Sequence, residues 1–297
     1  MLEPAKTERA IALVLKIREG DSVVSFRLEA DPGRTVLDLL EWLRAGGETV
    51  PAYRHSCHHG SCGTCGAVIN GLEALMCLMT AGDLASPRPR LPGGPALEPE
   101  IDETGAVVVT LEPLVRMGVI AGIAVVPRRV FAGIPVEAAY LVAVENGERS
   151  PLPANPAGAM VDGAPAGVVR IDDDCTGAGV GISARLDDNR SLEGYSWRPA
   201  GRVRFEACIE CGLCVSACPV AVPFIGPAAL AAVNREREKR PERTASMLAI
   251  AAAPDGVGPC GRHLACSRVC PQAVYPGKHI QLLRNALAVI ERAAGGR

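Results

Sequence analysis

The sequence has no long apolar run. No segment approaches the roughly 18 consecutive apolar residues of a membrane-spanning helix. The longest candidate, residues 117–126, contains two glycines. Residues 1–9 contain no apolar stretch typical of a secretory signal. The sequence therefore predicts a soluble or membrane-peripheral chain.

Aromatic residues are also scarce, and the net charge is small. Aromatic side chains make up 3% of the 297 residues, and the formal net charge is −2. A nearly neutral chain gives no reason to expect nucleic acid as a partner. This length predicts about two domains, with a core large enough to need no disulfides.

Signatures of local substrate chemistry are missing as well. Residues 177–181 come near the GxGxxG pattern of dinucleotide sites, but Ile182 stands where the last glycine belongs. No Ser/His/Asp or paired-carboxylate pattern is visible. We therefore predict no catalytic residues in this chain.

Cysteine, in contrast, is abundant and ordered, because eleven of the 12 cysteines fall into three runs. The runs are Cys57-x4-Cys62-x2-Cys65 followed by Cys77, Cys208-x2-Cys211-x2-Cys214-x3-Cys218-Pro219, and Cys260-x5-Cys266-x3-Cys270-Pro271. These spacings are typical of iron–sulfur ligands and imply a reducing compartment. Three clusters in one chain predict an electron-transfer protein, which electrons enter at one end and leave at the other.

The first run, Cys57, Cys62, Cys65 and Cys77, has the plant-type [2Fe–2S] spacing. Gly60, Gly63 and Gly66 interleave these ligands and let backbone N–H groups turn towards sulfur. A zinc site or unrelated thiols are the alternatives.

Three histidines crowd the first run: His55, His58 and His59. A Rieske centre would need a second Cys-x-x-His, which the chain does not supply there. We interpret these histidines as surface or partner-facing residues.

The Cys-Pro endings of the second and third runs predict a crossover of ligands. In bacterial two-cluster ferredoxins the fourth cysteine of each run serves the other cluster. That rule gives a [4Fe–4S] cluster the ligands Cys208, Cys211, Cys214 and Cys270. The remaining cluster keeps Cys218, Cys260 and Cys266.

His263 stands where a full third run would have one more cysteine. Three thiolates suit a [3Fe–4S] cluster, whereas a ligating His263 would complete a second [4Fe–4S] cluster. We predict three irons, with His263 as a bystander. Cys175 is left over and is interpreted as a free thiol.

Periodicity and turn residues predict an α+β chain. Residues 11–17 and 23–28 predict a hairpin, and Thr35 with Asp38 predicts a capping box for a helix that Gly46 ends. Further strands are expected at residues 67–69 and 106–111, the first before an Asn70-Gly71 turn. Residues 1–115 thus match a β-grasp [2Fe–2S] ferredoxin domain.

The remainder divides into an irregular and a helical part. Residues 116–202 predict a linker with a Pro/Gly-rich insertion and one possible strand at 168–171. Residues 203–297 predict an all-helical ferredoxin domain. Its expected helix signals are Pro227 at one start, Thr244 as a second cap, Pro254 as a stop, and an apolar stripe of Ile280, Leu283, Leu287 and Ile290.

Residues 234–243 carry five basic and three acidic side chains. The default interpretation is a solvated helix end. Docking of its cations near anionic membrane headgroups is the alternative.

These motifs, in this order, resemble the iron–sulfur subunit of succinate dehydrogenase and fumarate reductase. The resemblance covers roughly residues 10–115 and 203–290, and it is carried further by Arg54-His55-Ser56-Cys57, Ile69-Asn70-Gly71, Cys208-Ile209-Glu210-Cys211-Gly212-Leu213-Cys214 and Phe224-Ile225-Gly226-Pro227. It implies a partner flavoprotein that carries FAD, a membrane-anchor subunit and a quinone acceptor. It also implies a cytoplasmic location, peripheral on the inner face of the cell membrane.

The sequence departs from this family at three places. Only residues 220–223 separate Cys218-Pro219 from the Phe224 segment, without the tryptophan of many members, and Gly261 stands where many members have His. The third departure is the insertion at residues 142–200. The alternatives are the same relay with a non-quinone outlet, such as a soluble thiol/heterodisulfide-type partner, and a free-standing polyferredoxin.

Overall fold

The computed structural model describes residues 10–87, 98–126, 130, 144–145, 148–149, 208–221 and 223–295. The chain divides into two compact units, residues 1–140 with 204–297 and residues 141–203. Both cysteine-rich regions lie in the first unit.

A mixed sheet forms the first part of this unit. Its strands are β1 (Ile11–Glu19), β2 (Ser22–Ala30), β3 (Gly66–Ile69), β4 (Leu72–Leu75), β5 (Glu100–Ile101) and β6 (Val107–Glu112), in the order β2-β1-β6-β3-β4 with β5 on β6. Only the β1–β6 pair is parallel. The predicted hairpins, with turns at Gly20 and Asn70-Gly71, are confirmed, and so is the β-grasp arrangement.

Helix α1 (Val36–Ala45) covers this sheet. Thr35 and Asp38 form the predicted capping box, because each side chain accepts a hydrogen bond from the backbone N–H of the other. Leu37 and Leu40 are fully buried in the core beneath it. A short helix, α2 (Ala81–Leu84), begins with a second capping box at Thr80.

The segment after the sheet forms a hairpin that periodicity did not predict. Strands β7 (Gly118–Ala121) and β8 (Ala124–Val126) pair in antiparallel fashion. The backbone N–H groups of Ile123 and Ala124 donate to Ala52 O at 2.9 and 3.2 Å. The hairpin therefore braces the segment that leads into the first cysteine run.

Five helices follow residue 208: α3 (Leu213–Ser216), α4 (Pro227–Lys239), α5 (Thr244–Ala252), α6 (Ala265–Arg268) and α7 (Pro276–Gly295). Helix α4 begins at Pro227, and α5 ends two residues before Pro254, as predicted. The prediction that Thr244 caps α5 is wrong. Thr244 is the first residue of the helix, because a 3-10 turn at Pro241–Arg243 leads directly into it.

The predicted stripe of α7 is buried only at its first half. Ile280 and Leu283 are buried against α4 and α5, whereas Ile290 is 52% exposed. The end of α7 therefore projects beyond the helices that cover its start.

The interpretation of residues 234–243 as a solvated helix end holds for the exposed Glu238, Lys239 and Glu242, but it is wrong for the side of the helix that carries Asn234 and Glu236. Glu236 and Asn234 are buried. Glu236 accepts hydrogen bonds from Arg240, at 2.6 Å, and from Arg243. A buried carboxylate needs such partners, so the apparent surplus of basic residues is used within the fold.

Few contacts join the helical part to the sheet, but they are specific. Ser216 Oγ accepts from Val115 N at 2.9 Å and donates to Glu73 Oε1 at 3.0 Å. Leu213 packs into the same core as the sheet. Gln272 Nε2 donates to Gly60 O at 3.0 Å.

The second unit contributes one described feature, the antiparallel pair β9 (Val144–Glu145) and β10 (Glu148–Arg149). The predicted strand at 168–171, Cys175 and the glycine-rich residues 177–181 lie outside the described residues. Within the described ranges, no helix is long and apolar enough to cross a bilayer.

Two glycines test the role of the hairpin. A Cβ at Gly122, where φ is +50°, would lie 2.6 Å from Ala52 O, whereas a Cβ at Gly105, where φ is +83°, would meet nothing within 4 Å. We expect Gly105→Ala to cost about 1–2 kcal/mol from backbone strain alone. Gly122→Ala should cost about 1–3 kcal/mol more, because backbone atoms must move apart.

The measurement is the midpoint of anaerobic thermal unfolding, together with the visible absorbance of the first cysteine run with its iron bound. Gly122→Ala should unfold several degrees below Gly105→Ala. Equal midpoints for the two variants would show that the hairpin does not brace residues 51–54.

Candidate functional site: three cysteine sets

Three cysteines of the first set, Cys57, Cys62 and Cys65, lie on the loop between α1 and β3, and the fourth, Cys77, follows β4. Arg54 Nη1 donates to Val125 O at 2.9 Å, which fixes the start of the loop on β8. His58, Gly60 and Gly63 have positive φ. This backbone geometry turns successive N–H groups inward, towards the space that the cysteines surround.

Cys57 receives several of these N–H groups. Ser61 N and Cys62 N lie 3.2 and 3.3 Å from Cys57 Sγ. The backbone N–H of His59, followed by hydrogen bonds from Cys62 and Ser61, lowers the pKa of Cys57 to about 7. Hydrogen bonds to sulfur favour the thiolate, which is the form that binds iron.

Cys65 and Cys77 form the buried side of the first set. Their Sγ atoms lie 3.3 Å apart, and neither is in a disulfide. Burial raises the pKa of Cys65 to about 12, and the neighbouring Cys77 and Cys62 add to this shift. The loop and the segment after β4 thus bring all four predicted residues of the first run together.

The three histidines of this loop are exposed, as predicted. His55 Nδ1 lies 3.0 Å from His58 Nε2, and His55 Nε2 lies 3.3 Å from Glu41 Oε1. A ring nitrogen of His59 contacts Cys57 O. These imidazoles contact protein oxygen and nitrogen atoms at the surface of the loop.

The second set combines three cysteines of the second run with one from the third. One cavity is lined by Cys208, Cys211, Cys214 and Cys270. Burial raises the pKa of Cys211 to about 12 and that of Cys214 well above its usual range, with neighbouring thiols adding to both. Val274 N donates to Cys270 Sγ at 3.3 Å. The chain therefore carries Cys270 across to the second run.

The third set contains the cysteines that remain. Cys218, Cys260 and Cys266 line another cavity together with His263. Burial raises the pKa of Cys266, and Cys218 and Cys260 contribute to the shift. Arg284 Nη2 donates to Val257 O and Cys260 O, both at 2.7 Å, which holds the loop before Cys260 against α7.

The three sets are neighbours in the order in which the sequence presents them. A Cβ at Gly63 would lie 2.8 Å from both Cys211 Cβ and Ile209 O, so the first loop touches the second set directly. Helix α3, which contains Cys214, contacts helix α6, which contains Cys266, so the second and third sets are also close. The sulfur atoms therefore form a continuous series through the unit.

Several residues that hold this series were not predicted. Ser216, Gln272 and Arg284 make the contacts that lock the sets together. No motif marks them, because a single polar residue, such as Ser216 in a helix or Gln272 in a turn, gives no sign of a partner 143 or 212 residues away. Only the Cys-Pro endings of the second and third runs indicated that Cys270 lies with the cysteines of the second run.

Two family models match this chain in the corresponding places. Residues 15–132 match the 2Fe-2S iron-sulfur cluster binding domain, and residues 204–274 match the 4Fe-4S dicluster domain. The donors fit these cofactors, because thiolates supported by backbone N–H groups are the usual ligands of such clusters. The three remaining thiols of the C-terminal region fit a [3Fe–4S] cluster.

Curated relatives include fumarate reductase iron-sulfur subunits. The protein of Mycobacterium tuberculosis is 28% identical over 255 residues, 83% of this chain and 78% of that protein. The Haemophilus influenzae protein is 23% identical over 260 residues, 86% and 82% of the two chains. A mitochondrial succinate dehydrogenase iron-sulfur subunit of Oryza sativa is 23% identical over 262 residues, 85% and 65% of the two.

A solved structure shares the fold. A chain of the Mycobacterium smegmatis Sdh1 complex in the apo form aligns with a TM-score of 0.57 and 20% identity, over 96% of this chain and 98% of that chain. The N-terminal cluster-binding domain, the C-terminal dicluster region and these relatives agree with the three cysteine sets. The chain therefore combines a 2Fe-2S cluster binding domain with a 4Fe-4S dicluster domain, and over most of its length it is similar to the iron–sulfur subunits of fumarate reductase and succinate dehydrogenase.

Proposed function

We propose that this chain relays electrons between an FAD-containing flavoprotein subunit and a membrane quinone. The observation that carries the proposal is the series of three cysteine sets, in contact at Gly63 and close again between Cys214 and Cys266. A series of redox centres has a use only when electrons enter at one end and leave at the other. When bound, the clusters supply one-electron chemistry.

The proposed ligands follow the grouping of the thiols. Cys57, Cys62, Cys65 and Cys77 hold the [2Fe–2S] cluster; Cys208, Cys211, Cys214 and Cys270 hold the [4Fe–4S] cluster; Cys218, Cys260 and Cys266 hold the [3Fe–4S] cluster. His263 is the candidate for one further ligand. In domain terms, residues 1–115 carry the first set, 203–297 the other two, and 116–202 connect them.

The inlet is proposed at the first cysteine loop. The three histidines are exposed there and Cys57 is partly exposed, so a flavin of a partner subunit can approach this loop. The exposed imidazoles offer hydrogen bonds and a titratable charge to that partner.

The outlet is proposed at a cavity beside the third set. Cys260 and Cys266 line it together with Leu264, Tyr275 and Ile280, and it is rimmed by Arg262, Lys278 and Arg284. An apolar cavity with a few polar groups suits a flat, weakly polar acceptor such as a quinone head. The proposal therefore includes a membrane-anchor subunit and a peripheral location on the inner face of the cell membrane.

Gly261 bears on the same outlet. A Cβ at position 261 would lie 2.5 Å from His263 Nε2. The His263 ring therefore fills the space that a side chain at 261 would take. An imidazole therefore stands beside the third set, although Gly261 replaces the histidine that many family members have directly after the first cysteine of this run.

A second candidate keeps the relay but replaces the quinone by a soluble redox partner. The observation that favours it is the short connection at residues 220–223, which supplies no tryptophan to the outlet. Isolating the native complex separates the two candidates: a membrane-spanning subunit supports the quinone, and a cysteine-rich soluble subunit supports the alternative.

The order of the relay is tested by removing one thiol at each end in the assembled complex with its flavoprotein. Cys62→Ser should abolish substrate-driven reduction of all later clusters. Cys266→Ser should leave the first two reducible but lose at least tenfold in acceptor reduction, since each lost step breaks the series. The measurement is freeze-quench EPR alongside turnover with a quinone analogue.

Cys175→Ser serves as the matched control, because Cys175 belongs to none of the three cysteine runs of the sequence. It should leave every cluster signal unchanged. The proposed order is wrong if Cys266→Ser reduces the acceptor at the rate of the unaltered complex.

The iron content of the third set is a separate prediction. With His263 as a bystander, the chain should bind about nine irons and show a [3Fe–4S] EPR signal when oxidised. His263→Ala should change neither value. About ten irons without that signal, and their loss in His263→Ala, would instead establish a second [4Fe–4S] cluster with a histidine ligand.

A further inference from the structure

Four of the five histidines lie in the cysteine loops, and the fifth is His279. It is partly buried in the first turn of α7, beyond the last cysteine. The proposed relay assigns it no role. Histidine is the side chain whose ordinary pKa lies nearest neutrality, so a buried imidazole with ordered partners is a candidate proton site.

A short hydrogen-bonded path joins His279 to the second cysteine set. Val274 lines the cavity of that set, and its N–H donates to Cys270 Sγ at 3.3 Å. Burial lowers the pKa of His279, and a hydrogen bond with the backbone of Val274 acts in the opposite direction. A backbone contact that raises the pKa of an imidazole is one in which the ring donates to a carbonyl oxygen. Val274 therefore contacts the ligand sulfur on one side and the imidazole on the other.

On its other side His279 meets a buried amide. Asn234 of α4 is fully buried, and its Nδ2 lies 2.9 Å from His279 Nδ1. Two neighbours fix the orientation of this amide. Arg237 donates to Asn234 Oδ1 at 3.0 and 3.2 Å, and Asn234 Nδ2 donates to Glu238 Oε1 at 3.0 Å. The amide thus presents N–H to Nδ1, so the imidazole is neutral and carries its proton on Nε2.

Helical spacing places this pair of side chains close to the second set. Ala231 of α4 and Pro276 of α7 line the cavity of that set. Asn234 and His279 follow them by three positions each. Residues three apart lie on the same face of a helix, about one turn away from each other. The imidazole is therefore near the second set without belonging to its ligands.

The charges around the imidazole oppose one another. Glu238 of α4 favours its protonated form, whereas Arg235 of α4 and Lys278 of α7 oppose it. Helices α5 and α6 also contact α7. Helix α5 carries no titratable side chain, and α6 carries Cys266 and Arg268. Burial outweighs the carboxylate, so the ring is neutral near pH 7 until negative charge is added nearby.

We propose that His279 gains a proton when the cluster of the second set gains an electron, and loses it when the electron moves on. The inference rests on the [4Fe–4S] cluster proposed for that set. The first set supplies the electron, and solvent at the exposed Glu238 supplies the proton. The added charges cancel, which favours both additions at a partly buried site.

The structure indicates which bonds change in this step. An N–H bond forms at His279 Nδ1, and the hydrogen bond from Asn234 Nδ2 to that atom breaks. The amide then turns so that Oδ1 accepts the new proton. Turning gives up the contacts of the amide with Arg237 and Glu238, so the neutral ring is favoured while the cluster is oxidised.

The coupling must act in both directions. Reduction raises the proton affinity of His279, and protonation raises the midpoint potential of the cluster by the same free energy. At a separation on the order of 10 Å, one added charge in a partly buried site changes a proton affinity about tenfold. The potential should therefore fall with rising pH over a window about one pH unit wide. This window begins below 6.5, the ordinary pKa of histidine.

The test is an EPR-monitored redox titration of the [4Fe–4S] signal in the full chain with its clusters, repeated from about pH 5 to pH 9. His279→Gln keeps a side chain that forms hydrogen bonds but cannot titrate, so the fall should disappear. Asn234→Asp places an acceptor beside Nδ1 and favours the protonated ring, so the window should move to higher pH.

His58→Gln is the matched control, because it makes the same exchange at an exposed histidine of the first loop. It should leave the fall in place. The [4Fe–4S] signal of each variant verifies that the second set is intact. If His279→Gln loses this signal, Asn234→Asp decides, because damage to the fold does not move a pH window upwards.

Three results would overturn the proposal. The first is a potential of the unaltered chain that does not change with pH, and the second is a fall that persists in His279→Gln. The third is an Asn234→Asp window at the same pH as that of the unaltered chain. A chain without any [4Fe–4S] signal would instead contradict the proposed ligands of the second set, and this inference with them.

Discussion

The contact between the first cysteine loop and the backbone at residues 209–211 is the constraint on which the rest depends. At Gly63 the two segments approach so closely that no side-chain atom fits between them. Such proximity is useful only if it is rigid. Leu213 in the common core, Ser216 with two hydrogen bonds, and Gln272 on Gly60 hold the helical part in this position. The interface therefore serves the spacing of the cysteine sets.

Burial of the thiols has a second consequence. Without metal, the surroundings of Cys65, Cys211 and Cys214 strongly favour the protonated thiol. Iron binds the thiolate, so assembly must displace these protons, and the iron must supply the charge that the buried site otherwise lacks. Cys57, at the exposed side of its loop and surrounded by N–H groups, ionises most readily among the cysteines with shifted pKa values.

Much of this architecture follows from short-range signals. The capping box at Thr35, the Asn70-Gly71 turn and the start of α4 at Pro227 are local, so the sequence alone predicts them. The Cys-Pro rule also predicted that Cys270 joins the second run. What failed were features set by distant partners. Thr244 does not cap its helix because a turn of different geometry precedes it. Glu236, within the stretch 234–243 predicted to be solvated, is buried because two arginines enclose it. The hairpin at residues 118–126 has no periodicity of its own and is held by Ala52.

The parallel pairing of β1 with β6 affects how the first domain can fold while the chain is being synthesised. Strand β6 lies between β1 and β3, so these two strands have no connection within the sheet until β6 is in place. The ribosome, however, releases all four cysteines of the first run about 30 residues before β6 emerges. During that interval the four thiols belong to a sheet that still lacks its central strand, β6. A nascent chain of this kind depends on its surroundings to keep those thiols reduced until the last strand closes the domain.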